Sequence, residues 1–368
     1  MTDYQLDPEC CRLRQRRLIA EMQQLGCDVA ILTLAEHVQW LTGIRYPWVL
    51  RSAVAILADG RAMLAAPNKS VESGAIDECV AFDAQTLCTL RNDQSERSLQ
   101  ALSRMVPRPG GRMRTAVEFS CFPRHFPGQD DEDRVNIEPA IHRLRRQKDD
   151  DELRMIRKAI KATQKMYERA RAIVAPGISE LEVYNQLQAA AVEEFGEPPT
   201  ATGNDYQCAS PGGPPRPDRT ACEGELYILD LGPAYRGYFA DNCRTFAVRG
   251  ISDEQHRAWE TVMSVFQLVA RSVKPGASAR DLYAEAKDLL EHDARGSFPH
   301  HLGHGMGLAP HEPPYLNPNW DDRFQEGEVF TVEPGLYAPH LKCGLRIEQN
   351  YLVTSSGIEL LSDFPADL

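Results

Sequence analysis

Hydrophobic and polar positions follow two regimes along the chain. In the first, residues 8–26 place Leu13, Leu18, Ile19, Met22 and Leu25 among basic residues, which predicts an amphipathic helix. The run Cys27-Asp28-Val29-Ala30-Ile31-Leu32-Thr33 reads as a buried strand. Further strands are expected at Ala53–Leu57, Ala62–Ala66, Val80–Phe82 and Thr115–Phe119, and a helix at Glu96–Met105. Strands alternating with helices predict an α/β domain ending near residue 140.

The second regime opens with a long helix, from about Asp149 to Val174, which Pro176-Gly177 ends. Ser179 and Glu182 form a candidate capping box for a helix reaching about Phe195. Strands then dominate, at 226–231, 240–248, 329–333 and 345–353, with helices at about 253–273 and 278–294. At 368 residues the chain is long for one hydrophobic core. Two domains are expected, 1–142 and 143–368.

Composition narrows the function. It is that of a globular protein, 42% hydrophobic and 26% charged, and no window approaches the roughly 18 apolar residues of a membrane helix. The start Met1-Thr2-Asp3-Tyr4-Gln5 has neither the basic nor the apolar region of a secretory signal. The ten cysteines are scattered without a Cys-x-x-Cys pair, which suits free thiols in a reducing cytoplasm. Cys243, two residues past Asp241, reads as a small buried residue. A net charge of −12 argues against nucleic acid as a partner. The run Arg143-Leu144-Arg145-Arg146, answered at once by Asp149-Asp150-Asp151-Glu152, reads as a solvated helix start.

The candidate chemistry lies in the C-terminal part. Asp230 ends an apolar strand before Gly232-Pro233, and Asp241 opens the next. A hairpin between them would set the two carboxylates side by side. Four of the ten histidines, His300, His301, His304 and His311, fall within twelve residues among Gly303, Gly305 and Gly307. Glu333 ends a strand ahead of Pro334-Gly335, and alternation puts Arg346, Glu348 and Asn350 on one strand face. The arginine could orient the carboxylate. Asp230, Asp241, His304, Glu333 and Glu348 offer four hard carboxylates and one imidazole. That set suits two divalent cations sharing carboxylates, with a water or hydroxide between them, which is the chemistry of a hydrolase. His311-Glu312-Pro313 lacks the second histidine of a zincin helix, and Gly303–Gly307 lacks the Gly-Lys-Ser/Thr of a phosphate loop.

The order Asp, Asp, glycine-rich His, Glu-Pro-Gly, Arg-Ile-Glu resembles the pita-bread metallopeptidases, which include methionine aminopeptidase, aminopeptidase P, prolidase and the metal-free creatinase. The matching segments are Leu229–Gly232, Ala240-Asp241, His300–His311, Val332–Gly335 and Arg346–Glu348. Trp40-Leu41-Thr42-Gly43 likewise resembles the Tyr-Leu-Thr-Gly of the creatinase-type N-terminal domain. The resemblance implies an α/β N-terminal domain followed by an α+β pita-bread catalytic domain. Asp230 would bind one metal, His304 and Glu333 the other, and Asp241 and Glu348 would bridge them. The bridging hydroxide would attack the scissile carbonyl while Glu333 carries the proton to the leaving nitrogen. His300 and His311 match substrate-contacting positions, and Tyr337 and Arg346 match positions just outside the ligands. Manganese would be the first candidate for the two ions, with cobalt, iron or zinc as alternatives. The implied protein is a cytoplasmic homodimer acting on short peptides.

One departure stands out. The family's His-x-x-Pro-x-Asp type segment, upstream of the first metal aspartate, here reads Gly213-Pro214-Pro215-Arg216-Pro217-Asp218, so glycine takes the histidine's place. Arg216 could substitute in anchoring a substrate carboxylate, although a plain loop arginine is the simpler reading. The expected activity is that of a dinuclear exopeptidase cleaving Xaa-Pro bonds. The 15-residue step from Glu333 to Glu348 leans toward prolidase-like members. Two alternatives stay open: a non-peptide C–N hydrolase on the same fold, and a non-catalytic binding protein built on it.

Overall fold

A computed structural model describes residues 5–107, 113–121, 133–203, 205–292 and 295–368. Residues Met1–Tyr4, where most of the reading of the chain's start falls, lie outside that set. The chain divides into two compact units, Met1–Arg145 and Arg146–Leu368.

The first unit runs α1 (Pro8–Gln24), β1 (Val29–Leu32), α2 (Ala35–Thr42), β2 (Ala53–Leu57), β3 (Ala62–Pro67), β4 (Glu78–Phe82), the short pair β5 (Gln85–Thr86) and β6 (Thr89–Leu90), α3 (Gln94–Ser103), β7 (Thr115–Val117), β8 (Arg134–Asn136) and α4 (Glu138–Arg146), whose last residue opens the second unit. Its sheet has the order β4-β3-β2-β1-β7-β8. Central strands buried on both faces read as continuous apolar runs, as in Val29-Ala30-Ile31-Leu32. The buried side of α1 departs from the expected apolar stripe. Leu13 is exposed and Arg14 and Gln15 are buried, because Arg14 donates to the carbonyl of Trp40, and Gln15 to those of Leu41 and Ala75. Polar groups at these positions are satisfied by backbone acceptors, so burial costs them little.

The second unit runs α5 (Asp150–Ile173), α6 (Glu180–Phe195), β9 (Asp205–Cys208), β10 (Leu226–Leu231), β11 (Ala234–Tyr235), β12 (Tyr238–Phe239), β13 (Asn242–Ala247), α7 (Asp253–Ser272), α8 (Ala279–Glu291), β14 (Gly303–Gly305), β15 (Glu312–Leu316), β16 (Val329–Val332), β17 (Gly335–Ala338), β18 (Cys343–Arg346), β19 (Gln349–Val353) and β20 (Ile358–Leu360). Its main sheets are β13-β10-β9 and β15-β14-β16-β19-β20, both antiparallel. A core of Val262, Val265, Leu268, Leu282, Phe298, Phe330 and Leu336 packs α7 and α8 against the strands.

Three expectations need correction here. The arginine run is not a solvated helix start. It ends α4, and Arg145 and Arg146 are buried, with Arg146 bonded to Asp322 and Glu328. Ser179 does cap α6 by accepting from Glu182 N, but Glu182 turns to Gln186 instead of closing a box. The strand expected at 345–353 is interrupted after Arg346, where Ile347 N donates to Pro334 O and Glu348 N to Cys243 O.

Candidate metal centre

Two strand systems deliver the five candidate ligands. Asp230 sits near the end of β10, in register with Cys243 of β13, and Asp241 immediately precedes β13. The connection is a short inner hairpin, β11–β12, so the two aspartates meet diagonally instead of directly opposite. Tyr167 of α5 clamps both strands by donating to Leu229 O at 3.2 Å and Asn242 O at 2.5 Å. His304 lies in β14, where the flanking glycines answer a close backbone approach. A Cβ on Gly303 would lie 2.0 Å from Thr331 O, and one on Gly305 2.2 Å from Pro313 O. Glu333 N donates to Leu302 O at 2.8 Å, which sets Glu333 beside this strand. The break after Arg346 turns Glu348 toward the aspartates.

The donor atoms converge in overlapping groups. Atoms of Asp230, Asp241 and Glu348 lie within 4.8 Å of one another, as do those of Asp241, His304 and His311, and those of His301, His304 and Glu333. His304 Nδ1 faces Gly305 O at 3.0 Å, which leaves Nε2 with its lone pair facing the carboxylates. That Nε2 stands 3.6 Å from Asp241 Oδ2 and 3.7 Å from Glu333 Oε1, too far for hydrogen bonds and wide enough for an ion to lie between. Glu348 Oε2 is buried without a hydrogen-bond partner. A buried carboxylate oxygen among other carboxylates, with no hydrogen-bond donor, suits a cation site.

Electrostatics points the same way. Burial, then the Asp230 and Glu333 carboxylates, push Asp241 well above the usual carboxylate range. Burial and the neighbouring Asp241, Asp230 and Glu333 do the same to Glu348. Burial raises Asp230 to about 6 even though Arg346 opposes it. Glu333 is also buried, but His301, His304 and His300 outweigh that and hold it at about 2. Burial lowers His304 to about 4 and also lowers His300 and His311, whereas its bond to Glu333 raises His301 against burial.

A pH dependence follows. Stripped of cations, Asp241 and Glu348 keep protons in the folded state that the unfolded chain has already released, and His301 holds its proton longer as well. Stability contributed by such groups is lost as pH rises through their folded pKa. The lowered histidines act oppositely below the ordinary histidine range, so the comparison is made above it, where the raised His301 still loses its contribution. Chelated protein should therefore melt lower at about pH 8.5 than at about pH 6.5, by about 2–4 °C for each kcal/mol involved. Cation-loaded protein should show no such fall. Thermal unfolding with and without chelator at the two pH values checks this.

Around the candidate ligands, Arg346 donates through Nη2 to Asp230 Oδ2 at 2.8 Å and to Asp205, and through Nη1 to Tyr337 OH and Pro211 O at 3.0 Å each. Asn350 Nδ2 donates to the Asp241 carbonyl. Cys243 is buried, its Sγ directed at Arg346 O. His311 is exposed and stacks on His304 with ring centroids 3.7 Å apart. His300 does not join the converging donors. Its Nε2 meets Tyr337 OH at 3.0 Å and its Nδ1 meets His301 O at 2.8 Å.

Two residues at the site carried no assigned role in the sequence reading. His301 Nε2 lies 2.9 Å from Glu333 Oε1. Its place in the histidine cluster was the available clue. Asp205, paired with Arg346, carries no local motif. At the departure, Gly213 N donates to Asp205 Oδ1 at 2.7 Å, with φ +127°, and a Cβ there would lie 2.8 Å from Gln207 Nε2. A histidine does not fit that backbone without rearrangement. Arg216 does not replace it as an anchor. Its guanidinium is bonded to the buried Glu180 at 2.6 Å and to Cys208 O.

Comparison with known proteins agrees with this architecture. Residues 154–355 match the model of metallopeptidase family M24, and residues 14–146 match the creatinase/prolidase N-terminal domain. The chain belongs to metallopeptidase family M24, and its fold is an α/β N-terminal domain followed by a pita-bread catalytic domain. It is 34% identical over 247 residues to the putative dipeptidase YkvY of Bacillus subtilis, spanning 64% of this chain and 65% of that one, just under two thirds of its length. It is 28% identical over 359 residues to an uncharacterized peptidase of Staphylococcus aureus, spanning 95% and 98% of the two chains. Among solved structures, the prolidase from Pyrococcus horikoshii OT3 superposes with a TM-score of 0.79 at 25% identity, covering 97% of this chain and 99% of that one. No helix among the described residues is long and apolar enough to cross a membrane.

Proposed function

We propose that this chain is a dinuclear metal-dependent exopeptidase that hydrolyses Xaa-Pro bonds of short peptides. The observation that carries the reading is that Asp230, Asp241 and Glu348 converge, with one Glu348 oxygen buried and unpartnered, and that overlapping groups link Asp241 to His304 and His304 to Glu333. Asp230 would hold one cation, His304 and Glu333 the other, and Asp241 and Glu348 both. The all-oxygen group Asp230, Asp241 and Glu348 suits Mn²⁺. When bound, the ions supply an activated water and a Lewis acid for the scissile carbonyl. The chain supplies the rest. Glu333 carries the proton from the nucleophile to the leaving nitrogen. His311, exposed beside His304, donates to the developing oxyanion. His300 contacts the substrate, Tyr337 holds His300 and Arg346 from just outside the ligands, and Arg346 fixes the Asp230 carboxylate. The names of relatives, a prolidase and a putative dipeptidase, support the Xaa-Pro and dipeptide preference. The family resemblance supports a homodimer working in the cytoplasm.

One observation favours a second reading, hydrolysis of a non-peptide C–N bond on the same site. Gly213 and its bond to Asp205 occupy the place of the family's substrate-holding histidine. Product analysis separates the two. Mn²⁺- or Co²⁺-loaded protein should cleave Ala-Pro and leave Ala-Ala-Ala intact. Cleavage of Ala-Pro-Ala instead would define an aminopeptidase P-like enzyme. No cleavage of any peptide by protein with both cations bound would overturn the peptidase reading in favour of the second.

A further inference from the structure

We infer that His301 is a nitrogen ligand of the centre, giving its His304–Glu333 half two imidazoles and a preference for zinc or cobalt that the Asp230–Glu348 half lacks. This rests on the dinuclear reading of the cluster.

His301 stands where a ligand would. Its Nε2 is 2.9 Å from Glu333 Oε1, and the donor atoms of His301, His304 and Glu333 fall within 4.8 Å of one another. The same Glu333 oxygen is the one nearest His304 Nε2, at 3.7 Å. The backbone beside it is held, since Leu302 N donates to Leu316 O at 2.8 Å and Leu302 O accepts from Glu333 N at 2.8 Å. The ring lies near both His304 and His311, with centroids 5.3 and 5.6 Å away.

Without a cation, Glu333 gives the His301 N–H its acceptor. A cation that takes Glu333 Oε1 as a ligand places positive charge against that N–H. A neutral imidazole with its proton on Nδ1 presents the Nε2 lone pair to the space that His304 and Glu333 share, where the three donor atoms lie within 4.8 Å of one another. Its held backbone keeps the ring there. One half of the centre is then all oxygen, through Asp230, Asp241 and Glu348. The other combines two imidazoles with carboxylate, a donor set matched to Zn²⁺ or Co²⁺ more than to Mn²⁺.

The test uses full-length protein loaded with Co²⁺, its metal content measured, and proton NMR in water. Each imidazole on paramagnetic cobalt contributes one strongly shifted, exchangeable N–H. We expect two such signals in the native protein, one in His301→Gln, and two in His311→Gln. Zinc affinity at one of the two positions should fall at least about tenfold in His301→Gln, the lower end of what even an outer partner contributes, and manganese affinity should change less. If His301→Gln does not fold, two native signals that survive His311→Gln carry the proposal. One native signal, or no loss in His301→Gln, with two cobalt ions bound, overturns it whether or not zinc affinity changes. Fewer than two ions per chain overturns the dinuclear reading itself, and this proposal with it.

Discussion

Replacing Asp241 by alanine should abolish peptide hydrolysis and lower the metal content below two ions per chain. Asp241 belongs to two of the converging donor groups, one with Asp230 and Glu348 and one with His304 and His311, so its loss weakens both halves together. Metal ions supply several kcal/mol of charge stabilisation to such reactions, so kcat/KM should fall on the order of 10³-fold or more. The variant should not be less stable when metal-free. In the stripped protein Asp241 is pushed upward by burial and by its carboxylate neighbours, and removing it relieves that repulsion. Elemental analysis, kinetics and thermal unfolding of chelated protein check the three parts. An active variant that keeps both ions would contradict the assignment.

Replacing Arg346 by methionine should cost about 3–5 kcal/mol of stability in metal-free protein, the usual penalty for breaking a buried ion pair from one side. The buried guanidinium touches Asp230, Asp205, Tyr337 and Pro211 at once, and methionine keeps the apolar stem while removing the charge. Asp230 would be left half-buried among carboxylates with no compensating charge. At about 2–4 °C for each kcal/mol in a domain of this size, the melting point falls by roughly 10 °C. Cations should restore part of the loss, because they place positive charge against the same carboxylate. Equal destabilisation with and without metal would show that Arg346 acts only through packing.

The legible features share a property: each is encoded within a few residues of itself. The proposed ligands Asp230, Asp241 and Glu333 end or open strands beside glycine or proline, and His304 lies between glycines, so local pattern and spacing made them candidates. Helices such as α5, α6 and α7 carry their own caps and apolar stripes. What escaped depends on partners far along the chain. Arg146 is buried because Glu328 and Asp322 receive it, and no local pattern reveals that. Helix α2 is only eight residues long and is buried from His37 to Thr42, so it offers no alternation to read. The strand through Glu348 breaks because Cys243 O and Pro334 O capture its backbone. Asp205 and His301 acquire roles only through Arg346 and Glu333.

Anomalous diffraction from crystals soaked in Mn²⁺ or Co²⁺ would show whether these five side chains hold two cations. Two peaks are expected among Asp230, Asp241, His304, Glu333 and Glu348, with Asp241 and Glu348 contacting both. A single peak, or peaks elsewhere with this cluster bare, would contradict the two-cation reading.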